Sequence, residues 1–96
     1  MTRLKLDSII QRDSEIIAVE MGNETVMMGI DQSKYFGLNE VGTTVWENIE
    51  KPITIQALVH VVRKNFDIEE KDCLADILEL VSDLMTQGLA RVVPSV

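Results

Sequence analysis

From Asn39 to Gly88 the apolar residues of this chain return every three or four positions, with two interruptions. Such a period belongs to helices that bury one side, so it commits the second half of the sequence to a helical cluster. The first expected helix carries Val41, Val45, Trp46 and Ile49 behind an Asn39 N-cap and ends at Lys51-Pro52. Gly42 inside it costs about 1 kcal/mol relative to Ala, which points to a close neighbour at that position. Thr54 caps the second helix, whose apolar side is Ile55, Leu58, Val59, Val62 and Phe66. The third is expected to open on a capping box of Asp67 and Glu70, to run to about Gln87, and to stop at Gly88. Its stripe is Leu74, Ile77, Leu78, Val81, Leu84 and Met85, while Cys73, Asp76 and Leu80 continue on an adjoining side. That apolar arc is wider than one contact surface requires.

The first forty residues carry the period of two instead. Ile16 to Met21 leads into Gly22-Asn23, a two-residue hairpin turn. The return strand, Glu24 to Ile30, alternates Val26, Met28 and Ile30 onto one face. A turn over Asp31 to Lys34 then leads to a short third strand, Lys34 to Leu38, with Phe36 and Leu38 on one face and Tyr35 and Gly37 on the other. Leu6 to Arg12 and Leu89 to Val93 are candidates for further short strands. Strands followed by three helices make an α+β fold in which a sheet packs on a helical cluster, with the layout of a winged helix-turn-helix. At 96 residues, without repeats or a linker, the expectation is one domain over 1–96.

Charge narrows the function classes. Sixteen Asp and Glu against nine Lys and Arg leave a net charge of −7, the wrong sign for displacing counterions from nucleic-acid phosphates or for an anionic membrane surface. The third helix bears Asp67, Glu69, Glu70, Asp72, Asp76, Glu79 and Asp83 against Lys71, so using it to read a DNA groove would meet repulsion. A winged-helix DNA-binding regulator is therefore the disfavoured alternative. A lone cysteine and the lack of a signal-peptide or membrane-length apolar run lead to the expectation of a cytoplasmic protein.

No residue pattern carries catalysis. His60 is the single histidine, and Cys73 has no imidazole partner in sequence reach. The acids of the third helix lack histidine spacing for a metal, and the glycines form no phosphate loop. The chain is expected to be no enzyme, and neither a cofactor nor a metal is expected.

The segments "YFGLNEVGTTVWENI", "KPITIQALVHVVRKNFDIEEKD" and "ADILELVSDLMTQGLARV" resemble the PqqD-like family, over about Ile16 to Val93. Its members are recognition elements for ribosomally made, post-translationally modified peptides, typified by pyrroloquinoline quinone biosynthesis protein D. "LNEVGTTVWENI" is similar to the stand-alone element of lasso-peptide clusters; a chaperone of another pathway, such as that of the quinone cofactor, is the alternative. The resemblance implies a three-stranded antiparallel sheet with three helices. It also implies a function, binding the precursor's leader as an added strand and presenting it to a leader peptidase or other modifying enzyme. Carried onto this chain, the strand edge is Lys34, Tyr35, Phe36, Gly37 and Leu38, and the groove wall is Cys73, Asp76, Ile77, Leu80 and Asp83. In that reading Phe36, Leu38 and Trp46 build the core and Tyr35 is offered to the partner. The chain is expected to be a monomer or weak dimer. A dimer joined by the open strand edge alone would be a third, assembly-type reading.

Overall fold

A computed structural model describes residues 4–13, 16–22, 24–28 and 35–94. In chain order the elements are β1 (Ile9–Arg12), β2 (Ile17–Met21), β3 (Glu24–Met28), β4 (Tyr35–Leu38), α1 (Glu40–Asn48), β5 (Ile53–Thr54), α2 (Ile55–Asn65), α3 (Glu70–Thr86) and β6 (Ala90–Val93). The expected α+β class holds. The strands divide into two three-stranded antiparallel sheets, ordered β2-β3-β4 and β5-β1-β6.

The β2–β3 hairpin forms with Met21 opposite Glu24 and Val19 opposite Val26, and Gly22 supplies the positive φ (68°) that its turn needs. The expected Asn23 half of that turn, Ile30, and the Asp31-to-Lys34 turn lie outside the described residues. Strand β4 pairs with β3, setting Phe36 opposite Met27 and Leu38 opposite Thr25.

Which face of β3 turns inward is decided by the structure. The face of β3 turned to the core is Thr25 and Met27, not the more apolar set of Val26 and Met28, which is half-buried. The Thr25 hydroxyl, fully buried, donates to the Thr43 hydroxyl of α1 at 2.9 Å, so the polar atom is satisfied where it lies. Met27 and Leu38 then pack on Val45 and Trp46 of α1 within the same core cluster.

Sequence signals at the helix ends read correctly for two helices. Asn39 accepts from the Gly42 amide at 2.9 Å and Thr54 from the Ala57 amide at 3.1 Å. The expected close neighbour of Gly42 is Leu38, whose Cβ would stand 3.1 Å from an added methyl. The capping box at Asp67 does not form. Residues 67–69 stay non-helical, with Ile68 half-buried against the core and its carbonyl accepting from Arg63 Nε. The helix therefore starts at Glu70, and Glu69 stands at the N-cap without a side-chain bond. Glu70 and Asp72 in the first turn still complement the helix dipole. At the far end Gly88 adopts φ 75°, with Gly88 N–H on Met85 O and Leu89 N–H on Leu84 O, the two bonds of a Schellman motif.

The second sheet joins the two ends of the chain. β1 lies between β5 and β6, with Ile10 opposite Val92 and Ile53. The Arg12 amide donates to Ile49 O at 2.8 Å, and its guanidinium reaches Trp46 O at 3.1 Å and the Glu50 carboxylate at 2.9 Å while lying 4.9 Å from the centre of the Trp46 ring. Helix α1 is thus tied at its start to one sheet and at its end to the other.

The threonine pair gives a thermodynamic test. Thr43→Val strands the buried Thr25 hydroxyl and is expected to cost about 1–3 kcal/mol in urea unfolding. Replacing both, Thr25→Val with Thr43→Val, removes donor and acceptor together and is expected to recover most of that loss. Additive losses in the double variant would show that the hydroxyl bond does not link β3 to α1.

Candidate functional site

Strand β4 is the last strand of its sheet among the described residues, so one row of its backbone N–H and C=O groups has no strand partner among them. Such an edge is a template for another extended chain. Opposite it, across an open groove of about 550 Å³, stands helix α3. The strand side is lined by Phe36, Gly37 and Leu38, continued by Asn39, Val41 and Gly42; the helix side by Asp76, Glu79, Leu80 and Asp83.

The expected edge residues fall into place unequally. Tyr35 is 74 % exposed and Gly37 is exposed, Phe36 is half-buried, and Leu38 is buried in the core. Lys34 lies outside the described residues. On α3 the expected wall divides. Asp76 and Asp83 are exposed and Leu80 half-buried, all three on the groove. Cys73 and Ile77, each about 1 % exposed, belong instead to the core stripe with Val81 and Leu84. Helical geometry explains the division. At about 100° per residue, 73, 77, 81 and 84 cluster on the side that faces α2, and 76, 80 and 83 follow on the next side round. Cys73 Sγ accordingly lies 3.8 Å from the Val59 carbonyl of α2. Burial pushes its thiol above the usual value, Arg63 opposes this and Asp76 adds to it, which makes Cys73 a poor thiolate.

The groove residues absent from the sequence expectation are Asn39, Val41, Gly42 and Glu79. Glu79 shares the side of Asp76 and Asp83 through three- and four-residue spacing, a signal visible in the sequence. Val41 reads as core from its stripe and is in fact half-buried, one flank on the core and the other on the groove. The result is an apolar floor of Phe36, Val41 and Leu80 beneath a rim of three carboxylates. None of the three has a cationic partner among the described residues. Among those residues no group of His, Cys, Asp and Glu is placed to hold a metal ion. No helix among the described residues is long and apolar enough to cross a membrane.

The model of the family described as coenzyme PQQ synthesis protein D (PqqD) matches residues 24–90, which takes in β3, β4, all three helices and the groove between them. This chain belongs to the PqqD family. Two solved structures share the PqqD-family fold. One is TbiB1 in complex with the TbiA(beta) leader peptide, at a TM-score of 0.76 and 16% identity, covering 88% of this chain and 99% of that one. The other is the solution structure of the PqqD portion of Methylobacterium extorquens PqqCD, described as a stand-alone recognition element for ribosomally synthesised and modified peptides. Its TM-score is also 0.76, at 14% identity, covering 94% of this chain and 96% of that one. No curated protein matches the chain.

On the other side of α1 this PqqD-family member has a second cleft, of about 590 Å³, between the two sheets. Glu47 of α1 and Glu20 of β2 meet there and share a hydrogen bond. That bond, burial and the Glu20 charge raise the Glu47 carboxyl above its ordinary 4.5, against a smaller opposing pull from Arg12. A carboxyl raised in the folded state binds its proton more readily folded than unfolded. Its contribution is therefore full at low pH and lost as pH rises through the raised value. Glu47→Gln, which keeps a donor without a charge, is expected to melt above the parent at pH 7 and to converge with it near the ordinary carboxylate range. Parallel melting curves for the two proteins across that range would remove the shared proton from the account.

Proposed function

We propose that this chain is a non-catalytic recognition element that binds the leader segment of a ribosomally synthesised precursor peptide. The leader adds as a strand along the open edge of β4, in the groove against α3, and is held there for a processing enzyme. The observation that carries this reading is the juxtaposition of an unpaired strand edge with an apolar-floored, acid-rimmed groove, in a chain of the PqqD family. The leader-peptide complex of the structurally similar TbiB1 supports the same partner class. Residues assigned to the site are Tyr35, Phe36, Gly37 and Leu38 on the strand, with Asp76, Leu80 and Asp83 on the helix.

Energetics assign the roles. Four residues of edge offer about two to four hydrogen bonds worth roughly 0.5–1.5 kcal/mol each, whereas ordering a disordered leader costs about 2–5 kcal/mol or more. Backbone pairing alone comes close to zero. Affinity and selectivity then come from leader side chains on Phe36, Val41 and Leu80, at about 25 cal/mol per Å² buried.

The pathway we assign is of the lasso-peptide type, in which a separate peptidase removes the leader. The match to the PqqD model keeps the quinone-cofactor pathway as a second reading, and the identity of the precursor that binds distinguishes the two. Titration with the leader of the precursor encoded beside this chain, followed by amide hydrogen exchange, is the decisive experiment. The amides of Tyr35 to Leu38 that do not bond β3 are expected to gain protection on binding. Tight binding with unchanged exchange across those four residues would reject strand addition while keeping leader recognition.

The carboxylate rim assigns the leader a cation. Opposite charges across a solvated groove act on encounter rate more than on final affinity. Asp76→Asn with Asp83→Asn is therefore expected to slow stopped-flow association of labelled leader at low ionic strength and to flatten its salt dependence. Coincident rates for parent and double variant at low salt would reduce the rim to a solvated helix face.

A further inference from the structure

Each described glycine but one has a reason inside the fold. Gly22 and Gly88 hold positive φ angles of 68° and 75°. At Gly42 an added methyl would stand 3.1 Å from Leu38 Cβ. Gly37 has neither reason. Its φ lies outside the left-handed region, and a Cβ built on it would meet no atom within 4 Å. A glycine inside a strand gives up backbone order and leaves no side chain to pack, so it weakens the strand that holds it. A β-branched residue there would strengthen β4 instead.

What the glycine makes is a gap on the outer face of the sheet. Side chains alternate along β4, so Phe36 and Leu38 turn to the core side and Tyr35 and Gly37 turn outward. Register sets Gly37 opposite Val26, and Tyr35 opposite Met28, on β3. Tyr35 is 74 % exposed and Val26 and Met28 are half-buried, so apolar side chains surround the bare position on two sides. The result is a notch floored by the Gly37 backbone, walled by Tyr35 along the strand and by Val26 across it. Its open side is the β4 edge, where Gly37 also lines the groove. A position without a Cβ is where a neighbouring chain can approach most closely. In antiparallel sheets a large side chain of the adjacent strand covers such an edge glycine.

We propose that Gly37 keeps this notch open for one large apolar side chain of the bound leader, which lies flat over the Gly37 backbone and packs between Tyr35 and Val26. This rests on the leader-binding reading above and adds a second point of selection to it. The groove reads leader side chains turned toward α3, and the notch reads those that strand alternation turns the other way. Both walls of the notch are uncharged. A small residue at that leader position leaves the notch unfilled, and a charged one would lose hydration there without gaining a partner.

Gly37→Ala and Gly37→Val test the assignment. The first adds only the Cβ for which there is free space, and the second fills the notch with a residue that strands favour. The probe is a synthetic peptide of the leader encoded beside this chain, labelled for fluorescence anisotropy, together with versions carrying Ala at each of its large apolar residues in turn. Both variants are expected to melt at or above the parent temperature. Gly37→Val is expected to bind the unaltered leader about tenfold or more weakly than the parent, with Gly37→Ala in between. One alanine-substituted leader is expected to bind the parent more weakly and to lose nothing further to Gly37→Val, because the side chain that valine displaces is already gone. Affinity within about twofold of the parent in both variants overturns the proposal. An equal loss for every version of the leader also overturns it, by placing the damage in backbone pairing. A lower melting temperature for Gly37→Ala overturns it too, by making the glycine a requirement of the fold. Failure of the parent to bind the leader overturns the reading beneath, a separate outcome seen before any variant is made.

Discussion

Burial of the Thr25 hydroxyl is the constraint from which the geometry of the groove follows. A hydroxyl fully removed from water must find a partner, and the one available on the facing helix is Thr43. Because strand side chains alternate, placing Thr25 inward also places Met27 inward and sends Val26 and Met28 outward. Pairing of β4 with β3 then brings Leu38 under α1 and leaves Tyr35 and Gly37 outside. One side-chain bond of 2.9 Å is thereby connected to which face of the sheet meets the core, which meets solvent, and how β4 is offered at the edge.

Helix α1 transmits that choice to the rest of the molecule. Its first turn sits against Leu38 so closely that Gly42 has no room for a Cβ without displacement, and its last turn is held by Arg12 through Trp46, Ile49 and Glu50. Held at both ends, α1 forms the floor of the groove on one side and the wall of the Glu20–Glu47 cleft on the other. Helix α3 reaches the groove only because its inner stripe is committed to α2. Cys73, Ile77, Val81 and Leu84 anchor it, and the neighbouring side, with Leu80 set among acids, is what remains to face β4.

The two halves of the groove are suited to different work. A strand edge pairs with any extended backbone and carries little sequence preference, whereas Phe36, Val41, Leu80 and the carboxylate rim respond to side chains and charge. A surface of that kind suits the binding proposed above, and Cys73, buried and holding its proton, lies in the core beside it.

Much of this was legible in the residues themselves. Helical periodicity, Asn39 and Thr54 caps, the Gly22 turn and the Gly88 stop are local signals, set by backbone sterics and nearest-neighbour hydrogen bonds that a sequence states directly. The third helix's acids and its wide apolar arc were visible for the same reason. What depended on distant partners was not visible. Asp67 forms no cap because Ile68 is drawn to the core. The terminal segments make a second sheet with β5 because each pairs with a strand far away in sequence. Cys73 and Ile77 leave the groove wall because α2 covers them. Above all, the alternation of β3 set Val26 and Met28 on one face without deciding which way that face turns, and only the position of Thr43 on a packed helix turned Thr25 and Met27 inward. A strand pattern records which residues share a face; which face is buried is settled by what stands opposite, and that is a property of the tertiary structure alone.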